Sequence, residues 1–235
     1  WWLQDKGPLD LSEATVFETG TNQWRRFDTW PPKNGTPRQL YFHAGERLSF
    51  EKPSAPPAAR SAYDEFRSDP AHPVPYRRRP IQLTYDSRGS DWYTWLVEDQ
   101  RITQGRPDVL SWQTEPLEQD LTIAGDVVGR LFVTTTGQDA DWVVKLIDVY
   151  PDSVAGSEPR MGGYQLMVSS EILRGRYRNS FSRPEPMVPG RMTPGQEVET
   201  DSGTSSMPAL IVRGEASTPS PAVGVEVEYD GVQAS

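Results

Sequence analysis

WVVKLIDVY, residues 142–150, is the most strand-like stretch of this chain. Successive side chains of a strand point to opposite faces, so Trp142 and Val144 share one face while Val143 and Lys145 share the other. Both faces are largely apolar, which is typical of a strand that is covered on both sides. We therefore expect residues 142–150 to form a central strand, with the run VVGRLFVTT at 127–135 as a second long strand.

Short apolar or alternating runs recur on either side of these two stretches, bounded by Gly, Pro, Asp and Asn. Helical periodicity is almost absent, and the chain holds 22 Pro and 19 Gly in 235 residues, which favours strands joined by many turns. The pattern predicts an all-β sandwich. The further predicted strands are residues 15–18, 24–28, 39–43, 48–50, 93–97, 109–114, 120–124 and 164–168.

Composition excludes several classes of function. The formal net charge of −9 argues against a nucleic-acid-binding surface, which depends on Lys and Arg. The absence of Cys removes disulfides, thiol nucleophiles and cysteine metal sites. No apolar run approaches the roughly 18 residues that span a bilayer, and no secretory leader is visible. The chain begins at Trp1-Trp2, so we expect a piece of a longer protein, whose location the sequence leaves open.

Two segments differ from the strand pattern. Residues 53–80 are proline-rich and predict a long surface insertion without regular structure. Within it, the run Arg77-Arg78-Arg79 is typical of a solvated loop, although contact with an acidic neighbour stays open. Residues 196–235 are rich in Ser, Thr, Gly, Glu and Pro, which predicts a divergent, poorly ordered tail with weak strands at 210–212 and 223–229.

Catalytic signals are weak throughout. The only histidines are His43 and His72, and no Ser is flanked as in the G-x-S-x-G nucleophile elbow. We therefore expect no catalytic residue in this chain. Asp139-Ala140-Asp141 resembles part of a calcium loop but lacks its glycine and distal Glu, which favours a turn. The neighbouring carboxylates Glu98 and Asp99 should point apart on a strand, so an acid–base pair is disfavoured. We expect no metal and no cofactor.

The cluster Asp91-Trp92-Tyr93-Thr94-Trp95 is the strongest candidate for recognition. If it is a strand, Trp92 and Thr94 share one face while Tyr93 and Trp95 share the other. Burial of both faces in the core is the favoured interpretation. The alternative is that one face meets a carbohydrate, an apolar substrate or a partner domain.

Four separated motifs resemble a known family and keep its order along the chain. They are residues 69–75 (DPAHPVP), residues 98–101 (EDQR) with 106–110 (RPDVL), Gly125 with residues 139–141 (DAD) and 145–152 (KLIDVYPD), and residues 174–178 (RGRYR) with Pro184 and Pro189-Gly190. Together they resemble the C-terminal jelly-roll domain of the X-prolyl dipeptidyl peptidase and cocaine esterase superfamily. The first strands and the insertion are most similar to the α-amino-acid ester hydrolase and glutaryl-cephalosporin acylase branch.

The resemblance implies a galactose-binding-like jelly roll over residues 10–195, with residues 1–9 ending a preceding α/β-hydrolase domain. That domain, which would carry the catalytic serine, aspartate and histidine, is the implied partner, and a small acyl ester or amide is the implied substrate. In such enzymes the jelly roll helps wall the acyl pocket, which implies Ile81, Tyr85 and Trp92 as substrate-binding candidates. Packing at the interdomain surface or in the core is the favoured alternative for these three. The branch also implies a periplasmic or secreted enzyme, with a cytoplasmic one left open.

Two alternatives to that role remain. A carbohydrate-binding module would use exposed Trp and Tyr, and a structural domain would form a homo-oligomer. The sequence after residue 199 departs from the family, so we expect a gene or reading frame altered there and a jelly roll left without its last strands, with exposed sheet edges.

Overall fold

The structure is a computed structural model that describes residues 10–53, 64–77, 79–81, 83, 85–90, 92–131, 133–155, 160–190, 196–198 and 225–232. Within these ranges the chain is built almost entirely from strands: β1 (Ala14–Glu18), β2 (Gln23–Phe27), β3 (Thr36–His43), β4 (Arg47–Ser49), β5 (Thr122–Leu131), β6 (Asp141–Val149), β7 (Gln165–Arg174), β8 (Gln196–Val198) and β9 (Val225–Val232). The helices are short 3-10 turns: η1 (Trp92–Leu96), η2 (Gln100–Thr103) and η3 (Gly175–Tyr177). None of these described helices is long and apolar enough to cross a membrane.

The described strands form three antiparallel sheets. The largest has five strands in the order β4-β3-β9-β5-β8, while β1-β2 and β6-β7 are hairpins. The weak strand expected at 223–229 is present as β9, which lies between β3 and β5 and pairs with both. At this position β3 and β5 are therefore not left with exposed sheet edges. The rest of the predicted tail, including residues 210–212, lies outside the described residues, as do residues 1–9, and the domain boundaries stay a prediction.

One hydrophobic core joins the five-stranded sheet to the β6-β7 hairpin. It contains Phe42 of β3, Leu131 of β5, Trp142 and Val144 of β6, and Leu173 of β7, each 9% exposed or less. Apolar side chains from two sheets therefore share one interior, which is the arrangement of a β-sandwich. The all-β sandwich predicted from the sequence is confirmed, and the jelly-roll connectivity stays an expectation.

The insertion contributes to this core although its described residues form no helix or strand. Phe66 is 8% exposed and belongs to the core cluster. Burying an aromatic ring removes a large apolar area from water and stabilises the folded chain by about 2–3 kcal/mol. The described residues of the insertion are therefore irregular, as predicted, and they are tied to the sandwich at Phe66.

Two predicted strands are wrong. Residues 93–97 form η1 instead, where Val97 N donates to Thr94 O at 2.9 Å. Residues 109–114 make single bridges at Leu110 and Gln113, the second of them parallel to Arg47 of β4, and form no continuous strand. Aromatic and β-branched residues favour a strand only where a partner can pair along its length. Beside β4 the pairing of residues 109–114 stops at Gln113, and residues 93–97 pair with no strand in the described part of the chain.

The strand at residues 142–150 is confirmed as β6, but its predicted central position is wrong. In the described sheets β6 pairs with β7 alone. A register shift between Leu146 and Ile147 interrupts the simple alternation of faces. Simple alternation places Lys145 on the same face as Val143, which is half-buried. Lys145 is nevertheless only 8% exposed.

Candidate functional site: the insertion face and its anchors

Asp99 lies in a short segment that connects the insertion to the sandwich. Its carboxylate caps η2 by accepting from Arg101 N at 3.1 Å, and it accepts from Arg101 Nε at 2.6 Å. Gln165 N of β7 also donates to it, at 3.3 Å. Burial alone would raise the pKa of Asp99, but these hydrogen bonds from Arg101 and Gln165 outweigh it and lower the pKa. The carboxylate is therefore held as an anion.

Arg101 carries the same connection further. Its Nη1 donates to Gly162 O at 3.1 Å and its Nη2 to Arg160 O at 3.3 Å, both in the loop between β6 and β7. An open cavity of about 330 Å³ lies here, lined by Asp99, Arg101, Ile102 and Arg160. Because the guanidinium of Arg101 already binds a carboxylate and two carbonyls, its evident role is to hold the loop.

Gln100 connects the same segment to β6. It is 1% exposed, and its side-chain oxygen accepts from Lys145 Nζ at 2.5 Å. Its side-chain amide donates to Glu98 O at 2.7 Å. Desolvation by burial lowers the pKa of Lys145. Residues 98–101, which we call the anchor segment, therefore bind β6, β7 and the loop between them.

Glu98 links the anchor segment to the insertion. Its Oε1 accepts from Arg77 Nη2 at 2.5 Å, and the Arg77 side chain is 7% exposed against 25% for Glu98. Arg77 Nη2 also donates to Thr94 Oγ1 of η1 at 3.4 Å. The acidic neighbour considered for the arginine run is therefore present for Arg77.

Further contacts hold the insertion nearby. Arg106 Nη2 donates to His72 O at 2.9 Å while its guanidinium pairs with Asp108 at 2.8 Å. The rings of Tyr76 and Trp95 meet edge to face with centroids 6.4 Å apart. In the segment after the insertion, Ser90 Oγ donates to Leu83 O and closes a local loop.

The anchored region presents apolar side chains to solvent. We call these residues the insertion face: Tyr76 (59% exposed), Ile81 (42%), Leu83 (69%), Tyr85 (90%), Tyr93 (60%), Leu96 (53%) and Val97 (56%). These residues follow one another within residues 76–97, and a group of large exposed apolar side chains is a candidate interaction surface. Of the sequence candidates, Ile81 and Tyr85 therefore lie on this face. Trp92 begins η1, and its side chain lies outside the described residues.

The histidines are occupied by structural contacts. His43 Nε2 lies 2.9 Å from Glu51 O, and its Nδ1 lies 3.2 Å from Arg47 Nη2. A carbonyl only accepts and a guanidinium only donates, so in these contacts Nε2 is the donor and Nδ1 the acceptor. His72 Nδ1 bonds to Asp69 Oδ2 at 2.7 Å. In the part of the chain that the structure describes, neither ring bonds to a serine.

The remaining acidic motif pairs with arginines. Asp139 binds Arg176 at 2.5 Å, and Asp141 binds Arg174 at 3.2 Å. Across the described ranges no group of three or more metal-ligating side chains comes together. Sequence reasoning missed this pairing, although the equal spacing of two acids at 139 and 141 and two arginines at 174 and 176 carried the signal. Asp141 and Arg174 are opposite each other in the β6-β7 register.

The motif residues of this all-β sandwich form structural ion pairs, and the family comparison identifies the class of domain. Residues 7–195 match the X-Pro dipeptidyl-peptidase C-terminal non-catalytic domain, and the chain belongs to this family.

Individual relatives are larger proteins. The chain is 26% identical over 178 residues to cocaine esterase of Rhodococcus sp. (strain MB1 Bresler), covering 74% of this chain and 28% of that protein. Two solved structures cover 98% of it: an aminopeptidase from a marine sediment archaeon, Thaumarchaeota archaeon (43% identity, TM-score 0.74), and an α-amino acid ester hydrolase (39%, TM-score 0.72). The chain spans 34% and 35% of those two chains. It thus corresponds to about a third or less of each relative's length.

Proposed function

We propose that this domain packs through its insertion face on the α/β-hydrolase domain of a serine hydrolase and helps to wall the acyl pocket there. The observation that carries the proposal is the exposure of Tyr85 and its neighbours on an anchored loop. An apolar surface held in a fixed conformation loses little conformational entropy when it binds, so it suits a permanent interface. The relatives, an esterase, an ester hydrolase and an aminopeptidase, support acyl transfer as the chemistry of the whole protein.

Ile81 and Tyr85 of that surface, together with Trp92 at the start of η1, are the proposed pocket-wall residues. Side chains of this kind recognise an apolar acyl group by burying its surface, and one methylene of mismatch changes binding by about 1–3 kcal/mol. The substrate class we propose is α-amino-acid esters or the side-chain amides of β-lactams. The serine nucleophile and its base belong to the hydrolase domain in this proposal, so the domain shapes specificity and performs no bond cleavage.

The test is a comparison of Tyr85→Ala with Phe181→Ala in the full-length hydrolase that carries this domain. Both side chains are about equally exposed, at 90% and 92%, but Phe181 lies outside the insertion. We expect Y85A to raise KM for esters with a bulky acyl group more than for acetyl esters, while F181A changes neither. Equal kinetics for the two variants and the unchanged enzyme would overturn the pocket-wall role.

Carbohydrate binding is the second candidate, favoured by Trp24. Its ring is 70% exposed on β2 and meets Phe17 edge to face at 5.4 Å. An exposed indole offers an apolar surface to a sugar ring. Titrating oligosaccharides into the chain while following Trp fluorescence tests this function: quenching that Trp24→Ala abolishes would establish it, and no change up to millimolar sugar would exclude it.

A further inference from the structure

We infer that Arg77 and Glu98 form a positioning pair that fixes the insertion face in the orientation from which it meets the hydrolase domain. The inference rests on the proposed function. Neither residue is a catalytic residue. The pair acts through Tyr76, which precedes Arg77 in the chain, and through Leu96 and Val97, which precede Glu98.

The Arg77–Glu98 ion pair is largely removed from solvent. The Arg77 side chain is 7% exposed and its guanidinium reaches Glu98 at 2.5 Å. Removing one partner of a buried ion pair leaves the other charge uncompensated in a poor solvent, so such a pair holds its two segments in one arrangement more strictly than a surface pair does. The planar, forked guanidinium adds directional bonding to Thr94 Oγ1 of η1 at 3.4 Å.

The second argument is connectivity. Arg77 and Glu98 are 21 residues apart, and they enclose most of the insertion face between them. Two other ion pairs, His72–Asp69 in the insertion and Arg88–Asp86 in the segment after it, join residues within three positions and close local turns. They tie neither segment to another element.

The third argument is the support behind Glu98. Its neighbours Asp99, Gln100 and Arg101 bind β7, β6 and the loop between those strands. Glu98 is therefore fixed to the sandwich by three independent contacts. When Arg77 is lost, the anchor segment keeps these contacts, so the change is confined to the insertion.

The experiment compares Arg77→Met with Arg88→Met, a control that lies between Arg77 and Glu98 in the chain and whose side chain is 86% exposed. Hydrogen exchange of the 235-residue chain is followed for amides of residues 76–97 and of β6. We expect R77M to speed exchange in the insertion by at least about tenfold, because local opening becomes easier, while β6 is unchanged. R88M should leave both unchanged. Unchanged exchange in R77M overturns the inference whatever the function of the domain.

The second readout is kinetic, in the full-length hydrolase. A positioning role predicts that R77M raises KM for a bulky acyl ester while kcat for an acetyl ester stays within about twofold, because only binding contacts are displaced. Arg77→Lys, which keeps the charge, should restore part of the loss. A merely structural role would lower the active fraction equally for both substrates, and that result overturns the inference.

The outcomes separate the two claims. If Y85A raises KM but R77M, with loosened exchange, does not, the positioning pair is wrong and the proposed function stands. If exchange loosens but neither Y85A nor R77M alters KM, the proposed function fails. If R77M does not fold, the double variant Arg77→Met with Glu98→Leu, which leaves no unpaired charge, gives the same readouts.

Discussion

The ammonium of Lys145 lies 2.5 Å from the side-chain oxygen of Gln100, and the two residues are 8% and 1% exposed. No carboxylate within the described ranges pairs with this lysine. A buried ammonium with a single neutral acceptor is costly to keep charged, and this is why its pKa is lowered. The contact joins β6 to the anchor segment at the cost of a desolvated charge.

This cost gives the stability a defined pH dependence. Between the lowered pKa of folded Lys145 and the ordinary value of 10.5, the unfolded chain binds more protons at this group than the folded chain does. Stability therefore rises with pH across that window. We expect the free energy of unfolding of the wild type, relative to Lys145→Met, to increase between pH 7 and pH 10 in urea titrations. A difference that is flat with pH would show that Lys145 is not desolvated.

Asp99 is expected to matter for stability beyond its own turn. Asp99→Ala removes the cap of η2 and the contacts to Arg101 and Gln165, which should cost about 2–3 kcal/mol. Asp86 is a matched control, because it makes the same kinds of contact with Arg88 that Asp99 makes with Arg101 but accepts no hydrogen bond from a strand within the described residues. Urea unfolding should show a much smaller loss for Asp86→Ala. Equal losses would mean that the anchor segment adds nothing to the local turn.

Gly175 lies too close to the core for any side chain. A Cβ there would overlap Met187 Sδ and would lie 2.9 Å from Ala140 O and 3.0 Å from Trp142 Cζ3. Gly175→Ala should therefore destabilise the fold by about 1–3 kcal/mol through overpacking. Gly129→Ala in β5 is the control, since nothing lies within 4 Å of its Cβ position. Thermal unfolding that ranks the two variants equally would contradict this packing.

The position of β9 can be tested by truncation. A chain that ends at Gly224 lacks β9 and leaves the facing edges of β3 and β5 unpaired. We expect faster amide exchange at residues 36–41 and 127–131, together with concentration-dependent association in sedimentation experiments. Unchanged exchange at both strands would show that β9 does not occupy this place.

The local sequence pattern predicted the strand and the irregular segment that depend mainly on neighbouring residues. The apolar run at residues 142–150 forms β6, and the proline-rich insertion is irregular. The strand predicted at residues 93–97 is wrong because strand formation depends on a partner strand, which the local sequence does not reveal. The family motifs could be recognised in the sequence, but their structural role could not. Glu98 and Asp139 form ion pairs with Arg77 and Arg176, which lie 21 and 37 positions away in the chain.

The sequence could not show that Ile81 and Tyr85 are exposed, because their segment has no periodicity from which a buried or exposed face can be assigned. Their role in an acyl pocket stays a prediction.

Hydroxyl-radical footprinting tests the docking of the insertion face most directly. Tyr85 and Phe181 are oxidised in the 235-residue chain and in the full-length hydrolase, and the modified peptides are quantified by mass spectrometry. The account predicts that Tyr85 becomes protected in the full-length protein while Phe181 is oxidised at the same rate in both. Equal oxidation of Tyr85 in the two proteins would contradict it.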